Sequence, residues 1–173
     1  MKKIKKFLVV SVLALVVLFP ESSSAYKTTE QTAVRLNENT ILYTISYRFN
    51  FLNRDTYMPI MTKRETENFT SSPYLSYQIF DGEEVFNEGD VKALVLSKTK
   101  IDNSHYFSRA GITTDFMLVA ILTLPQSVVN EGGDFSLKVK SLPIKTEIES
   151  ENEEKNEVTQ VDLSEYITPS IKI

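Results

Sequence analysis

Residues 41–52 read Ile41, Leu42, Tyr43, Thr44, Ile45, Ser46, Tyr47, Arg48, Phe49, Asn50, Phe51 and Leu52. Every odd position is apolar or aromatic, and the even positions from Thr44 to Asn50 are polar. A period of two sends successive side chains to opposite faces of an extended chain, so this stretch is a strand with one buried and one wet face.

The pattern continues on both sides. Toward the N-terminus, Asn37, Glu38 and Asn39 are turn-prone, and Ala33 to Leu36 supplies a weaker preceding strand. Toward the C-terminus, Tyr57, Met58, Pro59, Ile60 and Met61 extend again, with Pro59 marking an edge or a bulge because it has no amide donor. Lys63 to Ser72 is polar and reads as a loop between sheets. Tyr74 to Phe80 alternates, and Asp81 with Gly82 suits the centre of a type I′ hairpin returning through Glu83 to Phe86. A second turn falls at Asn87, Glu88, Gly89 and Asp90. Val91 to Ser97 becomes apolar on both faces, which predicts a central strand, and Tyr106 with Phe107 forms a short one. Phe116 to Leu124 is apolar enough for helix or strand. Its β-branched residues, with Gly111 before it and Pro125 after it, favour a buried strand. Phe135, Leu137 and Val139 then alternate with Ser136, Lys138 and Lys140, an outer strand closed by Pro143.

About seven strands at spacings near ten residues, with no amphipathic helix between them, predict an all-β fold. The architecture expected is a two-sheet antiparallel β-sandwich, an immunoglobulin-like Greek key in preference to a jelly roll or an open barrel. The chain has neither cysteine nor tryptophan, so the cysteine–tryptophan–cysteine core of true immunoglobulin domains is missing.

Outside the strand body lie two segments of different composition. Lys2, Lys3, Lys5 and Lys6 precede an apolar run from Phe7 to Phe19, then Pro20, Glu21, three serines and Ala25. This is the order of a cleavable secretory leader over residues 1–25, with Ser23 and Ala25 at the small-residue positions of a cut before Tyr26. This run of 13 residues, interrupted by Ser11, falls short of the roughly 20 that span a bilayer, so the mature chain is expected to be soluble. Residues 26–144 then form the sandwich. Residues 145–160 carry Glu147, Glu149, Glu151, Glu153, Glu154 and Glu157 against Lys145 and Lys155, which predicts a disordered acidic linker. Residues 161–173 regain Leu163, Tyr166, Ile167, Ile171 and Ile173 and read as a terminal strand or a docking segment. On this division, the body folds without residues 145–173.

The formal charge is −4, and loss of a leader carrying four lysines and one glutamate moves it three units further, to −7. An acidic surface disfavours nucleic acid as a partner. The lack of cysteine excludes disulfide scaffolds, thiolate metal sites, cysteine nucleophiles and lipid attachment at the cleavage site, and leans toward a bacterial envelope or medium.

The residues that carry chemistry are sparse. His105 is the single histidine, and Ser104 and Ser108 near it make no triad. Carboxylates gather at turns as Asp81, Glu83 and Glu84, as Glu88 and Asp90, and as Glu131 and Asp134 around Gly132 and Gly133. Calcium would need six to eight oxygens there, and solvated hairpin ends explain the same residues. Tyr43, Tyr47, Phe49, Phe51, Tyr74 and Tyr77 belong to a core, unless adjacent rings face solvent as a glycan or protein strip. Asn68, Phe69 and Thr70 match a glycosylation acceptor, which has meaning only in a eukaryotic lumen. Leu142 and Pro143 suggest a wall-sorting signal, but Lys145 occupies the place of its threonine.

No catalytic residue and no cofactor is assigned from the sequence, and the metal question stays open. The expected function is a non-enzymatic exported module for protein binding, adhesion or envelope assembly, meeting an envelope or secreted protein. The alternatives are a carbohydrate-directed hydrolase and a calcium-dependent domain. The expected location is secreted or cell envelope.

Overall fold

The computed structural model describes residues 25–50, 55–66, 73–97, 105–150, 153–162 and 166–173. The leader, apart from Ala25, and the Asn68 acceptor lie outside them.

Among the described residues, twelve strands and one short helix make an all-β fold of two sheets. The first sheet has the order β1 (Ala25–Asn37), β2 (Thr40–Asn50), β9 (Thr113–Thr123), β7 (Asp90–Ser97), all antiparallel. The second runs β4 (Thr62–Arg64), β5 (Leu75–Asp81), β10 (Asp134–Ser150), β3 (Thr56–Pro59), β8 (His105–Ser108). To it are added β6 (Glu84–Val85), β11 (Glu153–Asp162) and β12 (Ile171–Lys172). The inner faces of both sheets share one apolar cluster. Ile41, Tyr43, Ile45, Tyr47 and Phe49 of β2, with Leu118, Ala120 and Leu122 of β9, meet Ile79, Leu137 and Val139 of the second sheet. Aromatic edges bridge the layers, as between Tyr106 of β8 and Phe116 of β9 at 5.7 Å between ring centres.

Strand β2 buries every odd residue from 41 to 49, as its alternation dictates. Around it the structure revises several expectations. The first strand starts at Ala25, well before Ala33. The hairpin after β5 pairs Asp81 with Glu84, so Gly82 and Glu83 are its central residues. Only Gly82 has positive φ, at 57°, which is the requirement of a type II′ turn; the type I′ turn expected at Asp81 and Gly82 would need a non-glycine in the left-handed region, and no described residue adopts it. Arg64, on a short strand parallel to β5, donates to the carbonyls of Phe86, Glu88 and Gly89 and staples the next turn. A six-residue helix, α1 (Gln126–Glu131), follows Pro125 and was not legible as an amphipathic pattern.

The largest differences concern β7, β10 and the tail. Strand β7 is the outermost strand of its sheet rather than a central one. Strand β10, expected to be an outer strand ending at Pro143, is paired on both sides and runs on to Ser150. The proline is accommodated because the pairing with β5 stops at Ser141 and that with β3 resumes at Lys145. Where composition predicts a disordered linker over 145–160, the backbone continues as the β10–β11 hairpin, in register from Ser141 opposite Asp162 to Ser150 opposite Glu153. The period of two in Leu142, Ile144, Thr146 and Ile148 carries the strand into the glutamate-rich segment. The terminal segment returns to its own domain: β12 pairs with Asp134 and Phe135, and Leu137 N–H donates to the Thr168 hydroxyl at 2.9 Å.

Candidate protein-interaction face

Strands β9 and β7 owe their hydrophobicity to both faces, yet only one face of each is covered. Along β9 burial alternates strictly at Thr114, Phe116, Leu118, Ala120 and Leu122. The residues between them turn away from the core.

The registers place these outward residues in rows across the four strands. Val34, Leu42, Ile121 and Lys92 form one row. Thr32, Thr44, Val119 and Leu94 form the next, and Glu30, Ser46, Met117 and Leu96 a third. Val34, Leu94 and Leu96 are 47–48% exposed, and Met117 and Ile121 are 39% and 38%. Leu42 and Val119 are half-buried among them, and Leu36 stands exposed at the adjacent bulge. The result is an aliphatic band crossing the sheet diagonally from β1 to β7, bordered by the Thr32, Thr44 and Ser46 hydroxyls. One further row ends the face in the ion pair of Arg48 Nε with Asp115 Oδ1 at 2.7 Å, both side chains more than half exposed. That hydrogen bond and the carboxylate's charge raise the Arg48 pKa above its ordinary value.

The edges of this sheet are closed while its face is open. At β1, bulges interrupt the ladder between Thr28 and Glu30 and between Arg35 and Asn37. Arg35 lies opposite buried Ile41 and folds back to the carbonyls of Asn37 and Glu38. Bulges and an inward-side charge both oppose the addition of another strand. At β7, the Ala93 carbonyl accepts from the Thr62 hydroxyl at 3.1 Å and the Val95 carbonyl from the Tyr106 hydroxyl at 2.6 Å. What this sheet leaves uncovered is its outer face.

The other candidate residues are dispersed. Tyr43, Tyr47, Phe49 and Tyr77 are buried in the core, so the exposed band is aliphatic where an aromatic strip was the alternative considered. Burial lifts the Tyr43 and Tyr47 hydroxyls well above the ordinary tyrosine range, with Tyr166 adding to the effect at Tyr47. It pushes Tyr77 up to about 12, Arg64 opposing and Asp90 reinforcing the shift. Tyr74 is half-buried before β5, and Phe51 lies outside the described residues. His105 is half-buried on β8 opposite Pro59. Ser108 is bonded to Thr114 at 2.8 Å, and Ser104 is outside the described residues. Asp81 Oδ1 accepts from the Asp134 N–H at 2.7 Å, which ties two of the acidic turns together as structure. Among the described residues, no three His, Asp or Glu side chains converge as a metal site would require. No described helix is long and apolar enough to cross a membrane.

The signal that could have located the face was present in the sequence. Leu94, Leu96, Met117 and Ile121 are apolar at positions that a one-sided strand would make polar. The same excess is what a strand buried on both faces shows, which is how residues 91–97 and 116–124 read in the sequence alone.

No protein-family model matches the sequence, and no curated protein matches it. Among solved structures, a crystal structure of the yeast GGA1 GAE domain is similar over 80% of this chain and 98% of that one, at 9% identity and a TM-score of 0.26. A likeness at that level assigns neither topology nor activity.

Proposed function

We propose that this chain is an exported, non-enzymatic β-sandwich module that works by binding protein through the outer face of the β1–β2–β9–β7 sheet. The single observation that carries the reading is the aliphatic band on that face, whose residues Val34, Leu94, Leu96, Met117 and Ile121 stand 38–48% exposed on a regular sheet. Contiguous exposed apolar surface of a few hundred Å² on a folded domain marks interaction sites far more often than isolated apolar residues do. Export and an envelope or extracellular location rest on the order of the leader, from Lys2 to Ala25. An immunoglobulin-like Greek key is the finer fold we favour, supported by the chain passing from one sheet to the other between β7, β8, β9 and β10.

The test is affinity capture from the exported fraction with the leaderless chain and its Ile121→Glu variant. A protein retained by the first and lost by the second, with both equally stable, supports the reading. Equal capture by both removes the face from recognition. N-terminal sequencing of the secreted product checks the cut before Tyr26.

A further inference from the structure

The face just described has a size and a charge layout that fit one occupant. We propose that it is a self-association surface, taking the same face of a second copy of this chain; the proposal rests on reading the face as a protein-binding surface and names its partner.

Area is the first argument. Four strands about 4.8 Å apart and five outward rows about 7 Å apart, from the Arg48–Asp115 row to the Thr40–Thr123–Asp90 row, project over roughly 650 Å². A standard interface takes about 800 Å² of accessible surface from each partner, with an apolar centre and a polar rim. The rows centred on Val119 and Leu94 are that centre. Another copy supplies an equally flat aliphatic surface of the same extent, and facing sheets pack about 10 Å apart.

Symmetry is the second argument. A two-fold axis lying across the strands at the level of Val119 and Leu94 sets each strand against its own counterpart. The apolar β9 and β7 half then lies on the apolar half of the second copy, and the Thr32 and Thr44 half lies on its hydroxyl-bearing equivalent. Rows exchange about the axis, so Lys92 of one copy lies over Leu96 of the other, one row from the second copy's Asp115. The contact is isologous, so each attractive pair occurs twice. The Arg48 and Asp115 charges cancel within their own row and Lys92 balances Asp90, while Glu30 stands at the β1 end of the Met117 row, at the rim of the contact.

Closed edges are the third. Bulges and Arg35 at β1, with Thr62 and Tyr106 at β7, oppose growth of the sheet sideways, so a second copy has only the face to meet.

The experiment is sedimentation velocity on the purified leaderless chain across a hundredfold range of concentration, beside Leu94→Lys and Met61→Lys. Leu94 lies on the axis, so its lysine variant brings two like charges together there. Met61, 57% exposed, immediately precedes β4 of the second sheet and serves as the control. The expected result is a concentration-dependent dimer, weakened at least about tenfold by Leu94→Lys and unchanged by Met61→Lys, with equal thermal midpoints for the monomeric forms. A wild-type chain that stays monomeric throughout overturns the proposal, as does a dimer that Leu94→Lys leaves intact, or a monomer that instead partitions onto lipid vesicles. A monomer whose capture of another protein still depends on Ile121 would overturn self-association alone and leave the binding face standing.

Discussion

At the scale of single residues, the core tyrosines and the turn glycines set the clearest expectations. Tyr43, Tyr47 and Tyr77 are held neutral by burial, so their folded pKa values lie above the ordinary value near 10. The unfolded chain then loses these protons first as pH rises, and the native state binds more protons than the unfolded one between the two values. Their contribution to stability is complete below about pH 10 and is lost as pH climbs through the folded values. We expect urea midpoints to fall steeply above about pH 10, with tyrosinate absorbance appearing together with unfolding rather than ahead of it. Gly89 has φ 77°, and a Cβ there would stand 2.8 Å from the Thr123 carbonyl oxygen; Gly82 has φ 57° with open space around it. A left-handed backbone costs other residues about 1–2 kcal/mol, and Gly89 adds an overlap with main chain that cannot move aside. Gly89→Ala should therefore lower the urea midpoint clearly more than Gly82→Ala.

At the scale of elements, β9 offers an internal comparison. Leu118 is 1% exposed and Ile121, three residues on, is 38% exposed on the opposite face. Leu118→Ala should cost about 2–5 kcal/mol by opening a cavity, whereas Ile121→Ala should stay within about 0.5 kcal/mol of wild type in denaturant unfolding of the monomer. The same strand shows what the sequence could reveal. Alternation in residues 41–49 made β2 and its buried face legible, because period two depends only on local geometry. Pairing depends on residues far apart in the chain. Two-sided hydrophobicity in Val91–Ser97 therefore predicted a central strand, when Leu94 and Leu96 in fact face solvent at an edge. The glutamates of 145–160 had the composition of a linker, but past the bulge between Val139 and Ser141 the residues Leu142, Ile144 and Ile148 resume a period of two, and strand pairing outweighed composition there. The candidate face was hidden for the same reason, since an exposed apolar position and a buried one are the same letter until the layers are assigned.

At the scale of the whole molecule, the C-terminal residues are integral to the second sheet. Thr168 is 4% exposed, Val139 N–H donates to the Tyr166 carbonyl, Thr168 N–H to that of Leu137, and Ile173 N–H to that of Gly133. Deleting residues 166–173 should lower the thermal midpoint by about 5–10 °C, measured by circular dichroism, instead of leaving the body unchanged. The order of strands has a consequence in time as well as in space. The first sheet is joined through β9, whose Asp115 meets Arg48 from 67 positions away in the chain, and the second is joined through β10, later still in the chain. Neither sheet can close while only the N-terminal half has been synthesised, and folding dominated by such distant pairings runs in milliseconds to seconds. For the exported chain proposed above, that delay keeps the polypeptide threadable: it can pass a narrow translocation channel unfolded and acquire its two layers only on the far side.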